Sequence, residues 1–121
     1  MAKLMTDGMI DGGLTAYGTC INMTICAGQP TSFADIAVKA LATKALVGGD
    51  FTIANGDTSG RKSTVAAKAD ILITASGTAD HVVIDNGTDY SVTTCTSQAL
   101  VANGSNVFAT PAFDREIGDP T

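Results

Sequence analysis

Between Thr58 and Gly87 the chain falls into three strand-like runs punctuated by glycine turns. The runs are Arg61–Lys68, Asp70–Ala75 and Thr78–Asp85. In the second, Ile71 and Ile73 share one face and Leu72 and Thr74 the other, the period of a strand with two distinct faces. In the third, Val82-Val83-Ile84 is apolar without interruption, which predicts burial on both faces. Asn86-Gly87 is a hairpin signal, because both residues tolerate positive φ. Phe51–Ala54 precedes these runs and ends in the turn residues Asn55-Gly56-Asp57. Tyr90–Thr96, Ala99–Val101 and Asn106–Phe113 follow, interrupted by Asn103-Gly104 and Pro111. Short strands at such regular spacing predict a mainly β protein, a small β-sandwich or open barrel.

Two segments depart from this pattern. Leu4, Met5, Met9, Ile10, Leu14 and Tyr17 fit one face of a short N-terminal helix, weakened by Gly8, Gly12 and Gly13. Thr31 or Ser32 can cap a second short helix near 33–41, with Asp35 in its first turn. Ala42–Val47 reads equally as the end of that helix or as an edge strand. Thr19–Cys26 alternates strictly and predicts a strand. The expected organisation is a helical or arm segment over 1–18, a β domain over 19–114 and a polar C-terminal arm over 115–121.

At 121 residues the chain has the size of one domain with one hydrophobic core. Aromatic residues are only 5% and Trp is absent, so the core is expected to be aliphatic. Charged residues make up 16%, against about 25% in an average domain; a surface this neutral suits faces covered by partners. The net charge of −5 and the scattered basic residues argue against nucleic acid and against a polybasic membrane anchor. Asp7, Gly8, Asp11, Gly12 and Gly13 break up any signal-peptide core, and no run is long enough for a membrane helix. The expectation is a protein made in a cytoplasm.

Cys20, Cys26 and Cys95 are an odd number of cysteines. On a straight strand Cys20 and Cys26 stand about 20 Å apart, too far for a disulfide. Cys95 could pair with either if their strands are neighbours; otherwise all three are reduced thiols acting as small hydrophobes. One histidine and no CxxC pair argue against zinc. His81 shares a strand face with Asp85, but no nucleophile stands near them in sequence, so a structural role is expected. Asp85-Asn86-Gly87-Thr88-Asp89 lacks calcium-loop spacing and reads as a turn. Gly56–Lys62 lacks phosphate-loop spacing and leads into a strand; it reads as a loop delivering Arg61 and Lys62 to a sheet edge. No catalytic, cofactor or metal residues are expected, and no enzymatic activity.

The order of several short segments carries a resemblance. These are Gln29-Pro30-Thr31-Ser32-Phe33-Ala34, Ala40-Leu41-Ala42-Thr43-Lys44 and Ser59-Gly60-Arg61-Lys62 before Thr64-Val65. Thr74-Ala75-Ser76-Gly77-Thr78-Ala79-Asp80-His81-Val82 follows, then Pro111-Ala112-Phe113-Asp114 with Glu116-Ile117 and Asp119-Pro120. Together they resemble a family of short tailed-bacteriophage proteins encoded among structural genes. The resemblance implies a virion component with no cofactor. Head decoration is the first expectation, with a homo-oligomer, a trimer, bound to the major capsid protein or another virion protein. A neck, collar or tail accessory is the alternative. A β-sandwich module for host glycans is a third, disfavoured because Tyr17 and Tyr90 are the only tyrosines.

Overall fold

The computed structural model describes residues 5–118. Leu4 of the expected helix face and Asp119–Thr121 of the expected arm lie outside them. The chain is mainly β with two α-helices, and its sheets do not close into a barrel. It forms two compact units, each assembled from segments far apart in sequence. The contiguous division into 1–18, 19–114 and 115–121 therefore does not describe it.

One unit combines the segment ending at Thr19, Val47–Ala67 and the segment beginning at Pro111. Its sheet has the order β3 (Phe51–Asn55), β4 (Arg61–Val65), β9 (Phe113–Ile117), all antiparallel. Helix α1 (Asp7–Tyr17) supplies buried Ile10 and Leu14, and Tyr17 packs edge-on against Phe51 with ring centroids 5.8 Å apart. The expected apolar stripe is narrower than its sequence suggests. Ile10, Leu14 and Tyr17 recur at four and three residues, whereas Met9 points away and is 72% exposed.

Arg61 fastens the helix to the central strand. Its Nε donates to Asp11 Oδ1 at 2.9 Å and its Nη1 to Asn55 Oδ1 at 2.8 Å. On the other face of the sheet Lys62 pairs with Asp57 at 2.7 Å, and Thr64 Oγ1 donates to Asp114 Oδ1 at 2.6 Å. Two expectations change here. Arg61 and Lys62 lie on the central strand, not on an edge. Arg115, Glu116 and Ile117, read as an arm because they are polar, belong to β9, where Ser63 faces Arg115 and Arg61 faces Ile117. A strand with charges on its open face looks like a tail in sequence.

The second unit comprises Cys20–Leu46 and Lys68–Thr110. Its main sheet has the order β2 (Ala40–Ala45), β1 (Asn22–Cys26), β6 (Gly77–Asp85), β7 (Tyr90–Leu100), antiparallel throughout. Met23 and Ile25 stand opposite Ile84 and Val82 on one face; Thr24 and Cys26 stand opposite Val83 and His81 on the other. Val82, Val83 and Ile84 are all buried, as their unbroken apolar run predicts. Helix α2 (Phe33–Lys39) lies over the second face, where Ile36 clusters with Cys26 and Val83, and Val92 packs against them.

Ser32 caps α2 by accepting from the Asp35 N–H at 3.3 Å, and Lys39 closes an i,i+4 pair with Asp35 at 2.5 Å. The backbone turns extended at Ala40, and the next residues pair with β1. Of the two readings of Ala42–Val47 the strand is the one formed. Ala, Leu and Lys favour helix locally, but cross-strand pairing along β1 outweighs a propensity of under about 1 kcal/mol per residue.

β5 (Lys68–Leu72) pairs with β8 (Val107–Thr110), and a bridge between Ala42 and Ile73 joins this pair to β2. The run Arg61–Lys68 thus holds all of β4 and the first residue of β5, with Ala66 and Ala67 between them. The run Tyr90–Val101, read as two strands, is one strand through Leu100 with a bulge. Ala79 faces Gln98 and His81 faces Thr94, so Asp80 alone stands against Cys95, Thr96 and Ser97.

Gly60 has φ +67, and a Cβ added there would overlap the Ile117 carbonyl oxygen, so β9 can lie against this turn only if the residue is glycine. Gly87 has φ +92 with nothing within 4 Å of an added Cβ. Gly60→Ala is expected to destabilise by about 2–4 kcal/mol, and Gly87→Ala by only about 1 kcal/mol. Urea unfolding of the two variants beside wild type checks the order.

Candidate functional site

Of the residues singled out in the sequence, Cys26, His81 and Asp85 share the face of the second unit's main sheet under α2, whereas Arg61 and Lys62 belong to the first unit. Cys26 on β1 stands directly opposite His81 on β6. Asp80, at the bulge, accepts from the Gly28 N–H at 2.7 Å through the same oxygen that lies 2.7 Å from His81 Nδ1. His81 and Asp85 do share a face, as alternation requires, but the partner of His81 is its neighbour Asp80. The bulge permits this by releasing Asp80 from regular pairing. The His81 ring and the Gly28 N–H hold the Asp80 carboxyl below its ordinary value of 3.8.

The three thiols are free. β6 separates β1 from β7, so Cys26 and Cys95 stand about 10 Å apart, beyond disulfide reach. The conditional pairing of Cys95 with Cys26 therefore does not form. Burial pushes the Cys26 thiol up to about 11, helped by the Asp35 and Asp80 carboxylates and opposed by Lys39. Burial and then Asp85 push Cys20 up to about 11 as well, and burial and then Asp80 raise Cys95. A thiol held protonated is a poor nucleophile and a poor metal ligand. Among the described residues no group of three His, Cys, Asp or Glu side chains could hold a metal ion.

The Asp85–Asp89 segment is a hairpin turn. Asp85 Oδ1 accepts from the Gly87 N–H, and Asn86 Oδ1 accepts from the Thr88 and Asp89 N–H groups. These two oxygens thus face the segment's own backbone. The phosphate-loop look-alike, Gly56–Lys62, also closes on itself: Gly56 N–H donates to the Gly60 carbonyl, and Lys62 is paired within its own unit.

One feature escaped the sequence reading. Between α2 and the sheet lies a cleft of about 290 Å³ walled by Thr24, Thr43, Phe33, Ile36, Ala37 and Ala40, with Asp85 on its lining. Phe33 also meets Tyr90 edge-on, ring centroids 6.3 Å apart. The residues come from three strands, β1, β2 and β6, and from the helix, so only the paired register brings them together. Alternation placing Thr24 and Asp85 inward was the one signal available.

Comparison with protein-family models, with curated proteins and with solved structures gives no match.

The titrations set a pH profile. The cysteines have folded values above their ordinary 9.0, so the unfolded chain releases protons first. Stability is then present below pH 9 and falls between about 9 and 11. Asp80, Asp35 and Asp114 have folded values below 3.8, so their contribution is present above that pH and is lost below it, as pH falls through the lowered folded values. Stability plotted from pH 2 to 11 is expected to be flat in the middle and to fall at both ends. In native protein at pH 8, iodoacetamide is expected to modify Cys95 first and to reach buried Cys20 and Cys26 only on unfolding, read by mass spectrometry.

Proposed function

We propose that this protein is a structural component of a tailed-bacteriophage virion, a head decoration protein that acts as a homo-oligomer. The observation that carries this reading is the far half of β7. Among the described residues β7 is the last strand of the main sheet. From Thr94 to Leu100 it has no charged residue, and Thr94, Thr96, Ser97, Gln98 and Ala99 are exposed. Sheet edges of monomeric proteins are usually blunted by charge or proline. An edge of this kind suits addition of a strand or arm from another subunit. Exposed Val38, Met9, Val47 and Val101 add apolar surface of the sort a particle lattice covers. The virion context comes from the order of short segments, which resembles that of phage structural proteins.

The glycan-binding alternative gains no support, because Tyr17 is packed against Phe51 and Tyr90 against Phe33, leaving neither as a free platform. Two measurements test the proposal. Light scattering is expected to give a homo-oligomer for wild type and a monomer for the Thr96→Lys, Gln98→Lys double variant, since paired charge at the edge opposes strand addition. Mass spectrometry of particles released from cells that encode the chain is expected to find it at a copy number tied to the capsid lattice. Its absence from particles overturns the virion role; a handful of copies moves it to the neck or tail; a monomeric wild type overturns the edge as the contact.

A further inference from the structure

The chain contains three Asn-Gly pairs, Asn55-Gly56, Asn86-Gly87 and Asn103-Gly104. In such a pair the glycine nitrogen can attack the asparagine side-chain carbonyl carbon and close a five-membered ring, because glycine has no side chain in the way. Attack needs a nitrogen free to give up its proton and a carbonyl oxygen able to take up negative charge. The three pairs share the dipeptide and differ in these two conditions.

At Asn103 both conditions are met. Its Oδ1 accepts from the Ser105 N–H at 3.0 Å, the Asn106 N–H at 2.7 Å and the Ser105 hydroxyl at 3.2 Å. Donors aimed at a carbonyl oxygen stabilise the negative charge that develops there on attack. The Gly104 N–H has no hydrogen-bond partner among the described residues. Asn103 and Gly104 are exposed, and a Cβ added at Gly104 would meet nothing within 4 Å, so the ring has room to close. Asn86 has the same cradle with its nitrogen blocked. Its Oδ1 accepts from the Thr88 and Asp89 N–H groups, but the Gly87 N–H donates to Asp85 Oδ1 at 3.0 Å. An amide held by a carboxylate gives up its proton less readily, because an anion would form beside an anion. At Asn55 the nitrogen is also tied, since the Gly56 N–H donates to the Gly60 carbonyl at 2.9 Å.

We propose that Asn103 is a site of self-modification, at which the folded chain converts this asparagine to aspartate and isoaspartate. Hydroxide takes the Gly104 amide proton, and the electron pair left on nitrogen forms a bond to Asn103 Cγ. The bond from Cγ to Nδ2 then breaks, and Nδ2 takes a proton from water and leaves as ammonia. A second water opens the cyclic imide at one carbonyl or the other, giving aspartate or isoaspartate. Nothing is oxidised or reduced. The product carries one more negative charge, in the loop that leaves the uncharged end of β7.

The test follows the three sites in one sample of wild-type protein. Native protein is held at pH 8 and 37 °C, sampled over days and digested with chymotrypsin. The asparagine, aspartate and isoaspartate peptides are then separated and identified by mass spectrometry. Asn103 is expected to convert at least about five-fold faster than Asn86 and Asn55. In guanidinium chloride the hydrogen bonds that distinguish the sites are gone, and the three rates are expected to lie within about three-fold of one another. A smaller difference in the native protein, a faster Asn86, or a difference that persists in the denatured chain overturns the proposal.

Discussion

The pairing of β1 with β6 is the contact on which the second unit depends. Met23, Thr24 and Ile25 are buried, as are Ile84, Val83 and Val82 opposite them, and both faces of the pair are closed. A strand buried on both faces has no solvent side to which a register slip could move its side chains, so register here is tightly specified. Everything else in the unit is hung on that register. It sets Cys26 against His81, places Thr24 and Asp85 under α2, and leaves β2 and β7 as the outer strands. A one-residue shift would take apart the Cys26–Ile36–Val83 cluster and the cleft together.

The parts of the fold legible in the sequence are those with a local cause. Val82-Val83-Ile84 announces a strand buried on both faces. Asn86-Gly87 announces a hairpin, and Ser32 with Asp35 a helix start. Illegible parts have causes distant in the chain. Ala40–Ala45 has helical composition and becomes a strand because β1 is available to pair with it. The bulge between Tyr90 and Leu100 reflects the position of Asp80 on another strand, and it also decides that His81 meets Asp80 and not Asp85. Arg115–Ile117 looks like a tail until Gly60 and β4 supply its partner. The cleft was hidden for the same reason: its lining comes from four places in the chain.

The low charge of the chain takes on a more definite meaning in the structure. Arg61, Lys62 and Lys39 are spent on Asp11, Asp57, Asp114 and Asp35, within their own units. Part of an already small set of charges is therefore neutralised internally. What faces solvent along β7 is hydroxyl, amide and methyl. Such a surface neither repels a like copy nor attracts a polyelectrolyte, and it suits contacts made by shape and backbone pairing.

The interleaving of the two units has a consequence for how the molecule is made. The second unit has all its strands once Thr110 has been synthesised, whereas the first is without its third strand until Phe113–Ile117 follow. If the second unit orders first, the other is still a helix and a two-stranded hairpin, which is marginal alone in water. The final strand then acts as a latch, and the exposed flank of β4 is at greatest risk of joining another chain in the interval before it closes.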